Sequence, residues 1–281
     1  MSPLIATIII LLFVGWMFLR DFRERPNVTG ALWLPFFWVF ISGSRFPSGW
    51  MEILGLHLGG NSVDDGSPLD ALFFMFLIAA GLYVLKQRQV SLAWFTANNR
   101  WVTAYLVFCL VAIVWSDIPL VAFKRWIKLF GQPVMVLVLL TEPDPMESFT
   151  RLMKRLAFIW IPISILFARY YPNLGRAFDG WTGMPMNTGI TTNKNILGCD
   201  CFILELFFIW YFLRVRRLEP GRARRNELCL CALFMLLTAW ALRMAHSSTS
   251  LGALVLGTVL MLVVGFDFLD RRRIGTYIVV T

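Results

Sequence analysis

The stretch "NTGITTNKNILGCD" (187–200) places small polar residues and Lys194 directly ahead of an apolar run. Thr192 or Asn193 is suited to cap a helix beginning near Asn195, because a short polar side chain accepts a hydrogen bond from the first unpaired backbone N–H groups. Such a helix start carries partial positive charge, and Lys194 beside it adds a whole charge, which suits an anion. A solvated loop that simply ends in a cap is the plainer reading. The preceding residues, "ARYYPNLGRAFDGWTGMPM" (168–186), add Arg169 and Arg176, and "LRMAHSSTSLG" (242–252) holds Arg243, His246, Ser247, Ser248 and Thr249. Guanidinium and ammonium groups of this kind hold a phosphate or diphosphate through charge-assisted hydrogen bonds. Each segment also has a structural explanation: hydroxyls in membrane helices bond back to their own backbone, a lone histidine is commonly satisfied by packing, and Tyr170, Tyr171 and Trp181 are ordinary interface anchors.

The elements that must position these residues are membrane helices. Of 281 residues, 58% are hydrophobic and only 15% charged, outside the range of soluble globular chains. Apolar stretches able to cross a hydrocarbon core of roughly 30 Å, alone or with their flanks, recur along the whole chain. About ten are expected, near 3–19, 28–44, 69–85, 101–116, 119–140, 156–172, 194–213, 228–244, 251–268 and from Ile274 onward. Alternate connections carry most of the basic residues: Arg20, Arg23 and Arg25; Lys86, Arg88 and Arg100; Arg151, Lys154 and Arg155; Arg214 to Arg225; and Arg271 to Arg273. By the positive-inside rule these connections are cytoplasmic and the N-terminus lies outside. The first stretch lacks a basic residue ahead of it and has "RDFRER" behind it, the reverse of a signal peptide, so it should remain in the mature protein. The acidic segment 42–70, with Glu52, Asp64, Asp65 and Asp70 against Arg45, agrees with that orientation, and "GWMEILGLHLGG" within it suits a short surface helix or a plain loop.

Against this pattern eight cations fall on the wrong side: Arg45, Lys124, Arg125, Lys128, Arg169, Arg176, Lys194 and Arg243. A basic residue within a span costs roughly 2.5–3.5 kcal/mol at the helix centre, so these are the candidates for function. In "WSDIPLVAFKRWIKLFGQPVMVLVLLT" (115–141) too few residues follow Pro133 to cross a bilayer at 1.5 Å each, so the helix must start near Pro119 and include Lys124, Arg125 and Lys128. Snorkelling toward outer headgroups and binding of an anion both account for that triplet. The net charge of +9, spread this way, points to a membrane and not to nucleic acid. Cys199/Cys201 and Cys229/Cys231 are pairs whose members face different sides of a helix, and with two histidines in the chain no metal or cofactor is expected. No glycine-rich phosphate loop, serine elbow, HExxH motif or internal repeat is present.

Taken together, "VWSDIPLVAFKRWIKLFG" (114–131), "GITTNKNILG" (189–198) and "HSSTSLGALV" (246–255) resemble the O-antigen ligase and exopolysaccharide-polymerase membrane proteins of bacteria. The second segment is similar to the family's Gly-x-x-x-(His/Thr)-x-Asn-x-(Leu/Ala)-Gly pattern entering a helix, and the third to its Ser-x-Thr-rich helix start. The resemblance runs from about Trp94 to the end. It implies an all-α polytopic fold of ten to twelve spans, like the lipid-dependent (GT-C-like) glycosyltransferases. The implied activity is metal-independent transfer of a glycan from an undecaprenyl-diphosphate carrier to an acceptor, at the outer face of the bacterial inner membrane. Arg125, Lys128, Arg169, Arg176, Lys194 and Arg243, with Asn195, are then the substrate-binding set, and a base from a large outer loop would activate the acceptor hydroxyl. Membrane lipids and other polysaccharide assembly proteins are the implied partners. The family places that loop after the span starting here at Ile274, whereas this sequence ends at Thr281. The expectation is therefore one transmembrane helical domain over 1–281, truncated before the loop and its final helices, with His246 as the remaining catalytic candidate. Where relatives show Ser-Arg-Thr, this chain has "SSTS", with Arg243 one turn upstream of His246. A transporter or flippase of an anionic lipid-linked glycan, and a non-catalytic partner in a polysaccharide assembly complex, are the competing readings.

Overall fold

The computed structural model describes residues 2–24, 26–56, 67–178 and 183–264. Twelve α-helices, two short 3-10 turns (Gly30–Leu32 and Ala112–Trp115) and one small hairpin account for the regular structure among them. The helices are α1 (Pro3–Arg23), α2 (Trp33–Gly43), α3 (Pro47–Ile53), α4 (Pro68–Gln87), α5 (Leu92–Asn98), α6 (Arg100–Val111), α7 (Pro119–Leu140), α8 (Pro145–Tyr170), α9 (Pro172–Gly175), α10 (Lys194–Val215), α11 (Arg222–Ala245) and α12 (Ser248–Val264). Four of them, α1, α4, α10 and α11, are long and apolar enough to cross a membrane. The chain is an all-α membrane protein. Large apolar side chains that a soluble protein would bury stand exposed along its helices, Leu12, Phe76 and Leu236 among them. The expected Arg25, His57, Asp64, Asp65, Trp181, Arg271 to Arg273 and the stretch from Ile274 lie outside the described residues.

The chain divides into two compact units, Phe18–Leu156 and Met1–Met17 with Ala157–Thr281. In the first, α2, α4 and α7 enclose Trp38, Phe74, Leu77, Ile78, Val134, Met135 and Val138. Helix α7 begins with Pro119 in its first turn, where the missing N–H costs nothing, and runs unbroken through Pro133. Basic residues that the sequence placed in this unit's connections, Arg88 at the end of α4 and Arg151 and Arg155 within α8, are built into its structure. Arg88 donates to Val138 O (2.8 Å) and Thr141 Oγ1 (2.9 Å) and pairs with buried Glu142, which also accepts from Thr29 N (2.6 Å) and Thr29 Oγ1 (2.7 Å). Burial alone would push Glu142 up, but the bonds from the Thr29 backbone, Arg88 and the Thr29 hydroxyl outweigh it and hold the carboxyl below its ordinary range. Asp21, also buried, accepts from Arg155 Nε (2.8 Å) and Arg151 Nη1 (2.9 Å), and Arg151 further pairs with Glu24. Arg151 is correspondingly raised above its ordinary value: burial works against it, and the bonds to Glu24 and Asp21 prevail.

In the second unit α10 packs along α11, and α12 rests on α10 with Gly257 against Leu206. Phe234 of α11 is fully buried between Phe208 (5.3 Å between ring centres) and Phe158 (5.4 Å), with Phe13 of α1 also in ring contact. Buried Glu205 on α10 accepts from Thr238 on α11, tying these helices by a polar bond within the apolar layer. The segment between α9 and α10 contains a short antiparallel hairpin, β1 (Arg176–Phe178) with β2 (Pro185–Asn187), in the register Arg176 to Asn187, Ala177 to Met186 and Phe178 to Pro185. Three-residue strands leave no alternating pattern long enough to read from the sequence.

Candidate functional site

One end of the second unit gathers the three segments that sequence pointed to. Helix α9 ends on Gly175, which lies flat on the last turn of α8. A Cβ there would sit 2.2 Å from Phe167 C, 2.4 Å from Ala168 N and 2.5 Å from Phe167 O. Gly175 O accepts from Thr188 N (2.9 Å) and Gly189 N (3.1 Å), so the far side of the hairpin folds back onto the same turn. Gly189, at φ +57, then brings Ile190 N to Ser164 Oγ (3.3 Å). Thr191 donates to Thr188 O and Asn193 O (2.8 Å each), which shapes the approach to α10. Asn193 caps that helix, its side chain accepting from Asn195 N at 2.8 Å. Gly198 in the second turn of α10 lets α12 start against it, for a Cβ would meet Ser247 Cβ at 2.6 Å and Ser250 Oγ at 2.7 Å. The "GITTNKNILG" and "HSSTS" segments are therefore in direct contact. Tyr171 and Thr7 share a hydrogen bond of 2.9 Å, which brings the N-terminal end of α1 to the C-terminal end of α8.

Here a cleft of about 460 Å³ is lined by Ala168, Arg169, Arg176, Asn187, Trp240, Arg243, Met244 and His246. Three guanidinium groups and an imidazole come to it from α8, β1 and the end of α11, and no carboxylate is among its described lining. Each of the three arginines is exposed, and the frame directs two of them. Arg176 Nε donates to Ala168 O (3.1 Å), Arg169 lies over the Trp240 ring (5.7 Å), and Asn187 Nδ2 donates to Met244 O (2.9 Å), joining hairpin to helix. His246 terminates α11 in the left-handed conformation, φ 50 and ψ 38, which turns the chain sharply into α12. Ser247 and Ser250 satisfy each other at 2.9 Å and so close the start of α12 without facing the cleft as free hydroxyls.

Of the expected substrate-binding residues, the structure brings together Arg169, Arg176 and Arg243, with His246. Lys194 and Asn195 occupy the first turn of α10, one turn from Gly198, and are not among the described residues lining this cleft. Arg125 and Lys128 belong to the other unit. Lys128 is spent on aromatic faces, 3.8 Å from the Phe46 ring centre and 4.5 Å from that of Phe74, while Arg125 lines a separate cleft with Asp117. Arg45 is lowered by burial, partly offset by Glu52. Sequence reading missed Asn187, Trp240 and Met244. Trp240 was legible, since it lies three residues before Arg243 on one helix face. Two acids on α10 are buried, Glu205 and Asp200, and the Oδ2 of Asp200 has no hydrogen-bond partner among the described residues. Each cysteine pair has one buried member, Cys201 or Cys231, and one exposed, Cys199 or Cys229. No protein-family model, curated protein or solved structure matches this chain.

Proposed function

We propose that this chain is a membrane glycosyl-transfer protein that takes a glycan from an undecaprenyl-diphosphate carrier in the manner of the O-antigen ligases and exopolysaccharide polymerases. The observation that carries this reading is the concentration of Arg169, Arg176, Arg243 and His246 around one cleft whose described lining includes no acid. In the reaction an acceptor hydroxyl attacks the anomeric carbon, the bond from that carbon to the diphosphate oxygen breaks, and the hydroxyl proton passes to a base. The guanidinium groups stabilise the charge that grows on the departing diphosphate. His246 is the base this chain offers, and Lys194 with the capped start of α10 adds positive potential on the same end of the unit. On this reading the chain crosses the inner membrane about ten times with its N-terminus in the periplasm.

The test is a glycan profile from cells carrying Arg176→Ala or Arg243→Ala, with insertion verified by membrane fractionation. Each guanidinium contributes a charge-assisted hydrogen bond of about 1.5–3 kcal/mol, so each variant should lose roughly tenfold or more in transfer. Unchanged profiles from inserted variants would remove the proposal. Carrier-linked sugar crossing vesicles without a new glycosidic bond would replace it with transport. Labelling of a cysteine placed at Lys194 from the inner side only would remove its topological basis.

A further inference from the structure

A second cleft, independent of the glycan-transfer reading, lies in the unit Phe18–Leu156. Two cavities adjoin there at Trp126, which lines both. The first, about 550 Å³, opens beside the turn between α6 and α7 and presents Ser116, Asp117 and Arg125. The second, about 250 Å³, is walled by apolar surface from α4, α5, α6 and α7, including Leu85, Leu110, Pro133 and Leu137. Trp126 between them is fixed. Its Nε1 donates to Leu106 O at 2.9 Å, and its ring stacks between Phe123 (6.2 Å) and Phe130 (5.8 Å).

The charges at the first cavity are of opposite sign, yet no ion pair joins Asp117 to Arg125, and neither has another ionic partner among the described residues. Two unpaired opposite charges on one cleft complement a ligand that carries both, an anion for the guanidinium and a hydrogen-bonding cation for the carboxylate. A ligand of purely negative charge would meet Asp117 unfavourably. The adjoining apolar cavity takes a hydrocarbon chain, which water-soluble zwitterions lack. We propose that the seam between α6 and α7 holds one phospholipid with a primary-ammonium zwitterionic headgroup, its phosphate on Arg125, its ammonium on Asp117 and an acyl chain along the apolar cavity beyond Trp126.

The experiment is native mass spectrometry of the purified full chain, released from detergent after equilibration with equal phosphatidylethanolamine and phosphatidylglycerol. The wild type should retain one phosphatidylethanolamine in about tenfold preference. Arg125→Ala should lower that retention about tenfold, and Asp117→Asn should bring the two lipids to parity. Val107→Trp, which fills the apolar cavity, should release both, whereas Lys124→Ala, which removes a neighbouring cation outside the cleft, should leave the preference intact. Thermal unfolding of each variant within the wild-type range shows that it is folded. Equal retention of the two lipids by the wild type, or an unaltered preference in folded Asp117→Asn and Arg125→Ala, would overturn the proposal. So would displacement of the lipid by inorganic phosphate, which would mark the site as one for free phosphate.

Discussion

Replacing Gly175 by alanine tests whether the frame of the arginine cleft is as tight as its contacts indicate. The added Cβ would lie 2.2–2.5 Å from three backbone atoms of Phe167 and Ala168, whereas ordinary contact begins near 3.4 Å. Backbone at the end of a packed helix cannot swing aside as a side chain does, so the hairpin must retreat by about 1 Å. That movement lengthens the bonds from Thr188 N and Gly189 N to Gly175 O, and it pulls Arg176 away from Ala168 O. Overpacking of this kind costs about 1–3 kcal/mol and two weakened hydrogen bonds about 1 kcal/mol each, so the expected loss is about 3–5 kcal/mol. At about 2–4 °C per kcal/mol for a chain of this size, the melting midpoint in detergent should fall by about 10 °C. Gly252→Ala is the control. It lies inside α12 with nothing within 4 Å of its would-be Cβ, and it should be neutral or stabilise by up to about 1 kcal/mol. Pyrophosphate binding should fall in Gly175→Ala, as it should in Arg176→Ala, because the guanidinium is displaced. A Gly175→Ala protein that melts within about 2 °C of wild type and still binds pyrophosphate would refute the reasoning.

Glu142 carries a pH signature. Its carboxyl is held below the ordinary value, so its stabilising contribution is complete above an unfolded pKa of about 4.3 and disappears as pH falls through the lowered folded value. Glu142→Gln should cost about 3 kcal/mol at neutral pH by leaving Arg88 unpaired, and its melting midpoint should depend less on acidification than that of the wild type. At the start of α10, Asn193→Ala should cost about 1 kcal/mol through the lost cap, while Asn193→Asp should melt no lower than wild type. If the end of α10 serves an anion, the aspartate variant nonetheless transfers glycan less well; full transfer would detach that helix end from the site. His246→Gly should raise stability by about 1 kcal/mol, since glycine accepts φ 50 without strain, and should abolish transfer if the imidazole is the base. Retained transfer in that variant would assign the base elsewhere.

The helix starts were legible because they rest on local rules. Too little chain follows Pro133 to cross a bilayer, and that alone placed the start of α7 at Pro119. Small polar residues ahead of an apolar run placed the α10 cap at Asn193, one of the two positions the sequence offered. What stayed hidden was set by contacts between distant segments. Arg125 and Arg176 look alike in the sequence, as misplaced cations beside apolar runs, but one shares a cleft with Asp117 and the other sits among cations. Lys128 carries the same apparent anomaly and is satisfied by Phe46 and Phe74, the latter 54 residues away.

The same distinction separates cations that hold the fold from cations that hold a ligand. Arg88 at the end of α4 and Arg151 and Arg155 in the first half of α8 are each neutralised by Glu142, Asp21 or Glu24 within their own unit. Arg169 and Arg176 are oriented instead by a tryptophan face and by backbone, groups that fix direction without cancelling charge, and Arg243 lines the same cleft. A guanidinium paired with a carboxylate has its electrostatic demand met at home. Three left positive around one cleft create a local potential that an incoming diphosphate lowers, and every added negative charge in the lining should weaken it. Met244→Glu is the direct expression of that reasoning: it leaves the three arginines in place and should cost as much transfer as removing one of them.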